Sequence, residues 1–294
     1  MALRRPIVIL STPHKSILIL GSQGQLGREF QKVLSEKKAA FFAPPKKELN
    51  ISDVSQLKSS IDSLHPGIII NCAAYNLVDE AEENPAPAFA ANGEAVSRLS
   101  SLCKERKIFL VHFSSDYVFP GRKQGAYTEE DRPGPVNVYG KSKLQGEEAV
   151  RKILNDFLIF RLSWVFGDGK QNFLYKLSQW RLKNQTIKIS SDEISSPTFT
   201  EDIVLVVLSA LDAGLKGLFH LTNGGQCSRF EWAQYYFRKM SFADTLTPVS
   251  LKSFSLKAKR PFFSVMSNEK ISKALSTTIP TWQNAVDRFV NRSR

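Results

Sequence analysis

Tyr139 and Lys143 place a phenol and an ammonium four residues apart, in the run Tyr139-Gly140-Lys141-Ser142-Lys143. On a helix, positions i and i+4 share a face. An ammonium beside a phenol favours the phenolate, which makes the tyrosine a usable proton donor or acceptor near neutral pH. Bringing a phenol from about 10 to about 7 takes about 4 kcal/mol of differential stabilisation. A half-buried ring beside a solvated charge produces the same spacing, so the pair gains meaning only from what surrounds it.

Two other stretches supply that context. Gly21-Ser22-Gln23-Gly24-Gln25-Leu26-Gly27 follows an apolar run and opens a helical pattern. Backbone N–H groups at such a turn bind phosphate, and glycines let a pyrophosphate approach. Gly21, Gly24, Gln25, Leu26 and Gly27 are therefore the candidate dinucleotide loop, although the spacing is G-x-x-G-x-x-G and a tight strand–helix turn alone also favours glycine. An acid at the end of the second strand favours NAD. Here that region reads Ala43-Pro44-Pro45-Lys46-Lys47, whose lysines suit a 2′-phosphate and lean toward NADPH, with NADH left open.

Asn71-Cys72-Ala73-Ala74-Tyr75 ends a strand at the expected cofactor edge, where small side chains at Ala73 and Ala74 let a ligand pass close. Ser114 and Ser115 end the next strand. Ligands of open α/β sheets bind at the carboxyl ends of strands, and a hydroxyl there can hydrogen-bond a carbonyl or alcohol oxygen. A turn or a helix cap is the plainer use of such serines.

These residues need a scaffold, and the rest of the chain describes one. Continuous apolar runs at 16–20, 67–71, 108–113, 157–161 and 217–221, with a shorter one near 39–42, suit strands buried on both faces. Helical patterns lie between them at 26–34, 54–64, 87–106, 139–152 and 201–213, the second with Asp53 or Ser52 as its cap. Strands alternating with helices predict an α/β fold, a Rossmann-type doubly wound parallel sheet. The dinucleotide-binding part is expected over 16–170, completed by 201–222. A smaller interleaved C-terminal substrate lobe is expected over 171–200 and 223–294, with helices at 173–182, 229–240 and 281–290. Residues 1–15 read as an N-terminal extension.

The chain has 294 residues, 42% hydrophobic and 23% charged, ordinary for a soluble globular protein. Its formal charge of +12 favours anionic ligands. The charges are scattered, with no Arg-rich arm, zinc-finger spacing or RNA-binding aromatic motif, so nucleic acid is not expected as a partner. No apolar run reaches the roughly 20 residues of a membrane span, and no membrane partner is expected. Cys72, Cys103 and Cys227 are few and far apart, which fits a reducing, cytoplasmic setting. His14, His65, His112 and His220 have no metal-ligand spacing.

Five segments in order carry a family resemblance: Gly-x-x-Gly-Gln-Leu-Gly; Asn-Cys-Ala-Ala-Tyr followed by Val-Asp-Glu-Ala-Glu; Ser-Ser-Asp-Tyr-Val-Phe; Val-Tyr-Gly-Lys-Ser-Lys-Leu-x-Gly-Glu; and Arg-Leu-Ser-Trp-Val-Phe-Gly. Asn172-Phe173, Ser196-Pro197-Thr198, Gly217 to Thr222 and Arg260-Pro261 agree. The chain resembles the extended short-chain dehydrogenase/reductases, and within them the dTDP-4-dehydrorhamnose reductases, over about residues 16 to 290.

The resemblance implies a catalytic set of Ser115, Tyr139 and Lys143. It implies cofactor contacts from Gly24, Gln25, Leu26, Asn50, Ile51, Ala74 and Tyr75, and substrate contacts from Ser114 and Trp164. The activity it implies is NADPH-dependent reduction of a 4-keto dTDP-sugar in surface-polysaccharide biosynthesis. A reductase of another nucleotide sugar, and a regulatory subunit like that of methionine adenosyltransferase, are the other readings. Where the family often reads Asp-Gln-x-Gly-(Ser/Ala)-Pro-Thr, this chain has Asp192-Glu193-Ile194-Ser195-Ser196-Pro197-Thr198, which leaves the sugar open. Some members hold Mg²⁺ with glutamates at a homodimer contact. Glu29 and Glu201 match two of those positions, but no C-terminal acid completes the set, so no metal ligand is assigned and the Mg²⁺ requirement and the dimer both stay open.

Overall fold

The computed structural model describes residues 16–183, 186–243 and 245–292; the extension expected over 1–15 lies outside them. The first apolar run forms β1 (Ile17–Leu20), buried at every position, as a strand covered on both faces must be. The chain continues through α1 (Gln25–Glu36), β2 (Phe41–Phe42), α2 (Val54–Leu64) and β3 (Ile68–Asn71). Asp53 caps α2, its carboxylate accepting from the Ser55 and Gln56 amides.

The helix expected over 87–106 is present as one unbroken helical run, preceded by a short α3 (Val78–Glu83). It comprises α4 (Pro85–Phe89), a π-helical turn over Ala90–Glu94, and α5 (Ala95–Arg106). The turn carries the buried Asn92, whose amide bonds both backbone groups of Tyr75 and the Ser142 hydroxyl. That distortion, of a kind common near functional sites, ties the end of one strand to a later helix.

Next come β4 (Phe109–Ser115), α6 (Val138–Ile153) and β5 (Phe157–Leu162). The remaining elements are β6 (Val165–Phe166), α7 (Phe173–Lys183), β7 (Ile187–Ser190), β8 (Ile194–Ser195), β9 (Thr198–Phe199), α8 (Thr200–Asp212), β10 (Gly217–His220), β11 (Cys227–Ser228), α9 (Arg229–Lys239), β12 (Leu246–Val249), α10 (Glu269–Ala274) and α11 (Trp282–Arg292).

Six strands form one parallel sheet in the order β10-β5-β4-β3-β1-β2. The chain runs from β1 to β2 on one side, then crosses to β3 on the other. The topological switch point, where such sheets bind ligands, therefore lies between the carboxyl ends of β1 and β3. One face of the sheet packs on α1 and α8 through Phe30, Leu34, Val204 and Val207. The other packs on α2, α5 and α6 through Leu57, Ile61, Leu99 and Val150.

A third core gathers Trp164, Phe166, Phe199, Trp232 and Phe289 beside two-stranded pairs β12-β7, β11-β8 and β6-β9. Its aromatic rings pack at centroid separations of 5.2 to 5.7 Å in several pairs.

Candidate active site

Helix α6 is fixed at its start. Asn137 caps it by accepting from the Gly140 amide at 2.7 Å, and the Asn137 amide donates to the Lys259 carbonyl at 2.7 Å. Glu82 accepts from the Val138 amide at 2.7 Å. Gly140 makes the approach that follows feasible: a Cβ there would lie 2.2 Å from the Tyr117 carbonyl oxygen. The result brings the Tyr139 ring edge-on to Tyr117, with centroids 5.8 Å apart.

Tyr139 is half-buried, whereas Lys143, one turn on, is only 2% exposed. Burial pushes the Lys143 ammonium down to about 8, against the pull of Glu147. Burial also pushes the Tyr139 phenol up to about 12; a hydrogen bond from Ser115 opposes the rise and the Asp116 charge adds to it. Desolvation, and not the neighbouring lysine, sets the direction of the phenol's shift. The phenol is a firmly protonated donor in this cavity, not a phenolate.

Ser114 and Ser115 are the last two residues of β4, so the strand end delivers both hydroxyls to one place. The Ser115 hydroxyl donates to Asp116 at 3.0 Å and accepts from the Tyr117 amide at 3.1 Å. Asp116 is 2% exposed. Its carboxylate also accepts from Ser264 at 2.6 Å, Ser163 at 3.2 Å and Ser195 at 3.3 Å. Burial still raises it to about 6.

These groups face a cavity of about 810 Å³. Its wall carries Gly24, Gln25 and Leu26 of the glycine loop, Ala73, Ala74 and Tyr75 after β3, Ser114, Ser115, Tyr139 and Lys143, and Trp164, Lys170, Gln171, Lys176 and Arg229. Gln25 Nε2 donates to the Val165 carbonyl at 3.2 Å, so the glycine loop adjoins the segment after Trp164. Gly21 and Gly27 stand behind the loop rather than on the wall. Gly21 has φ +70°, and a Cβ on it would lie 2.5 Å from the Ala73 nitrogen. Only glycine lets the β1 and β3 ends converge here.

Asn50 and Ile51 do not line this cavity. Asn50 accepts from the Ser52 amide in a local turn, and Ile51 is buried in the α2 face of the core. Lys46 and Lys47 follow a loop pinned to the glycine turn, because Ser22 donates to the Pro44 carbonyl at 2.7 Å and the Lys46 amide donates to Gln23.

The cavity suits a polar dinucleotide. Gln25 Oε1, Ser114 Oγ and Trp164 Nε1 are buried without a hydrogen-bond partner, and buried polar groups are ordinarily paired. Three features escaped sequence reading: Arg229, Lys176 and the Asp116 cage. Arg229 opens α9 behind a Ser228–Glu231 capping box, a signal that marks the helix start but not which wall the arginine joins.

The glutamates matched to a metal do not fit one. Glu29 and Glu201 both pair with Arg292, and Glu201 also with Arg288. Among the described residues no group of three or more His, Cys, Asp or Glu is placed to hold a metal ion.

Comparison with known proteins bears on the same residues. The family described as RmlD substrate binding domain matches residues 15–294. A dTDP-4-dehydrorhamnose reductase of Sinorhizobium fredii is 35% identical over 80% of this chain and 83% of its own length. A dTDP-4-keto-6-deoxy-D-glucose reductase of Streptomyces niveus is 31% identical over 92% of this chain and 94% of its own. The dTDP-4-dehydrorhamnose reductase of Bacillus anthracis, solved in complex with NADP, superposes with a TM-score of 0.91 at 31% identity, covering 95% of this chain and 99% of that one. The chain thus belongs to the dTDP-4-dehydrorhamnose reductase family, the RmlD branch of the extended short-chain dehydrogenase/reductases.

Proposed function

We propose that this protein reduces the C4 keto group of dTDP-4-dehydro-L-rhamnose to give dTDP-L-rhamnose, using NADPH. The observation that carries the reading is one cavity that Ser115, Tyr139 and Lys143 share with a glycine loop and with Trp164, Lys170, Lys176 and Arg229. Bound NADPH supplies the hydride that adds to C4. Tyr139 holds the proton for the new hydroxyl at Oη, and its high pKa keeps that proton in place at neutral pH.

Lys143, still mostly charged at pH 7, holds the hydroxyls of the nicotinamide ribose and steadies charge developing on the phenol oxygen. The Tyr117 amide holds the Ser115 oxygen, and the Ser115 O–H, which otherwise donates to Asp116, turns to the carbonyl oxygen and orients it beside Tyr139. Ser114 and Trp164 meet the sugar nucleotide, and the three cationic side chains match its diphosphate. Lys46 and Lys47, beside the glycine turn, favour a 2′-phosphate and hence NADPH over NADH. The NADP complex of the Bacillus anthracis relative supports this preference. The reading sets the enzyme in the cytoplasm, serving surface-polysaccharide synthesis.

The test is NADPH oxidation with dTDP-4-dehydro-L-rhamnose by wild type and Tyr139→Phe. Loss of the general acid should lower kcat about 10²- to 10⁴-fold; undiminished turnover overturns the assignment. Faster turnover of dTDP-4-keto-6-deoxy-D-glucose by the wild type would transfer the activity to that sugar.

A further inference from the structure

The two glutamates that the family pattern links to a divalent cation share one guanidinium. Arg292, in the last turn of α11, reaches Glu29 of α1 at 3.3 Å through Nη1 and Glu201 of α8 at 2.5 Å through Nη2. Arg288, one turn earlier, bonds the second Glu201 oxygen and Asp202, each at 2.5 Å. Asp202 also accepts from Asn223 at 2.6 Å. Both guanidinia lie against the Phe199 ring, with centroid distances of 5.3 Å for Arg288 and 5.0 Å for Arg292.

The charge balance explains the arrangement. Glu29 is 3% exposed, and burial raises its pKa even with Arg292 beside it. A carboxylate this deep needs a cation at hand. Mg²⁺ meets that need only through oxygen ligands in a near-octahedral shell. Here Glu29 already faces the Arg292 guanidinium and Glu201 faces those of Arg292 and Arg288, and these fixed positive charges repel a divalent ion. A guanidinium is a planar fork of donors that can span two carboxylates at once.

We propose that Arg292 is a built-in cation that takes the place of a divalent metal at the junction of α1, α8 and α11. It fastens the C-terminal helix to α1, the helix whose first turn presents Gln25 and Leu26 to the cavity. The chain thereby closes this junction without Mg²⁺.

The experiment is thermal unfolding of wild type, Arg292→Glu and Arg292→Ala, each in EDTA and in about 5 mM MgCl₂, where an ion bound only by the folded state raises Tm. The wild-type Tm should be the same in both. Arg292→Glu puts a third carboxylate beside Glu29 and Glu201, so its Tm should fall by several degrees in EDTA and recover most of that loss in Mg²⁺. If Arg292→Glu gives no folded protein, Arg292→Ala carries the test, with Mg²⁺ raising its Tm where the wild type is unmoved. A wild type stabilised by Mg²⁺, or variants indifferent to it, overturns the proposal. Neither outcome depends on which sugar is reduced.

Discussion

The Arg229 guanidinium lies 3.6 Å from the centroid of the Trp164 ring and pairs through Nε with Glu193 at 3.4 Å. Glu193 belongs to the Asp192–Thr198 segment, where this chain departs from the family pattern. The departure is thus built into the cavity wall: Glu193 steadies Arg229, and Arg229 covers the face of Trp164. A charge-assisted contact to a ligand is worth about 1.5–3 kcal/mol. Arg229→Ala should therefore raise the KM for the dTDP-sugar about tenfold or more, with a smaller change in kcat. Steady-state kinetics at saturating NADPH check this. An unchanged KM would remove Arg229 from substrate recognition.

Lys143 sets a pH limit that Tyr139 does not. The phenol stays protonated to about 12, beyond the working range. The ammonium, at about 8 against an ordinary 10.5, loses its proton within that range. kcat/KM for reduction should therefore fall as pH rises through about 8. Stability moves the other way. A lysine with a depressed folded pKa penalises the fold below about 8, and the penalty is relieved between about 8 and 10.5. The cofactor-free wild type should gain Tm relative to Lys143→Met across that window. A kcat/KM profile flat to pH 10 contradicts the assignment of Lys143.

How much of this was legible in the sequence depends on the range of the cause. Strand cores such as Ile17–Leu20 and Ile68–Asn71, and the capped start of α2 at Asp53, are local matters of hydrophobic run and side-chain chemistry, and they read correctly to within a residue or two. The helix expected over 87–106 formed, but its π-helical turn was not legible, because Asn92 answers to Tyr75 and Ser142, 17 and 50 residues away. Strands β7 and β12 were invisible for the same reason: Ile187–Ser190 is a strand only because Leu246–Val249 pairs with it.

At the site, Ser115, Tyr139 and Lys143 could be picked from motif and spacing. Arg229 and Lys176 reach the cavity through the packing of α9 and α7, which no local pattern encodes. The phenol pKa was misjudged because spacing reveals a charged neighbour but not the desolvation around it.

Asp116 should act as an acid-sensitive pin. Its pKa of about 6 exceeds the ordinary 3.8, so the ionised form penalises the fold above about 6, and the penalty is relieved as pH falls toward 3.8. Between pH 7 and 5 this group should add about 1 kcal/mol to wild-type stability. Asp116→Asn lacks that response, so the wild type should gain about 2–4 °C in Tm over the same step relative to the variant. Parallel Tm shifts would mean that Asp116 does not titrate there.

Gly140 offers the sharpest structural test of how Tyr139 is placed. An alanine Cβ would lie 2.2 Å from the Tyr117 carbonyl oxygen and 2.9 Å from the Pro135 side chain. The first neighbour is backbone, held in a turn whose Phe119 amide donates back to the Asp116 carbonyl at 3.0 Å, so it cannot swing away as a side-chain tip would. Either α6 moves off the turn or the turn distorts, at a cost of about 1–3 kcal/mol for overpacking. Tyr139 is the adjacent residue, and its ring packs on Tyr117. A displacement of about 1 Å at a reacting group can cost 10²-fold in rate. Gly140→Ala should thus lower Tm by several degrees and lower kcat far more than it raises the KM for NADPH, because the clash falls beside the reacting phenol and not in the glycine loop. Equal losses in both parameters would mean that the whole cavity, and not the tyrosine alone, depends on this contact.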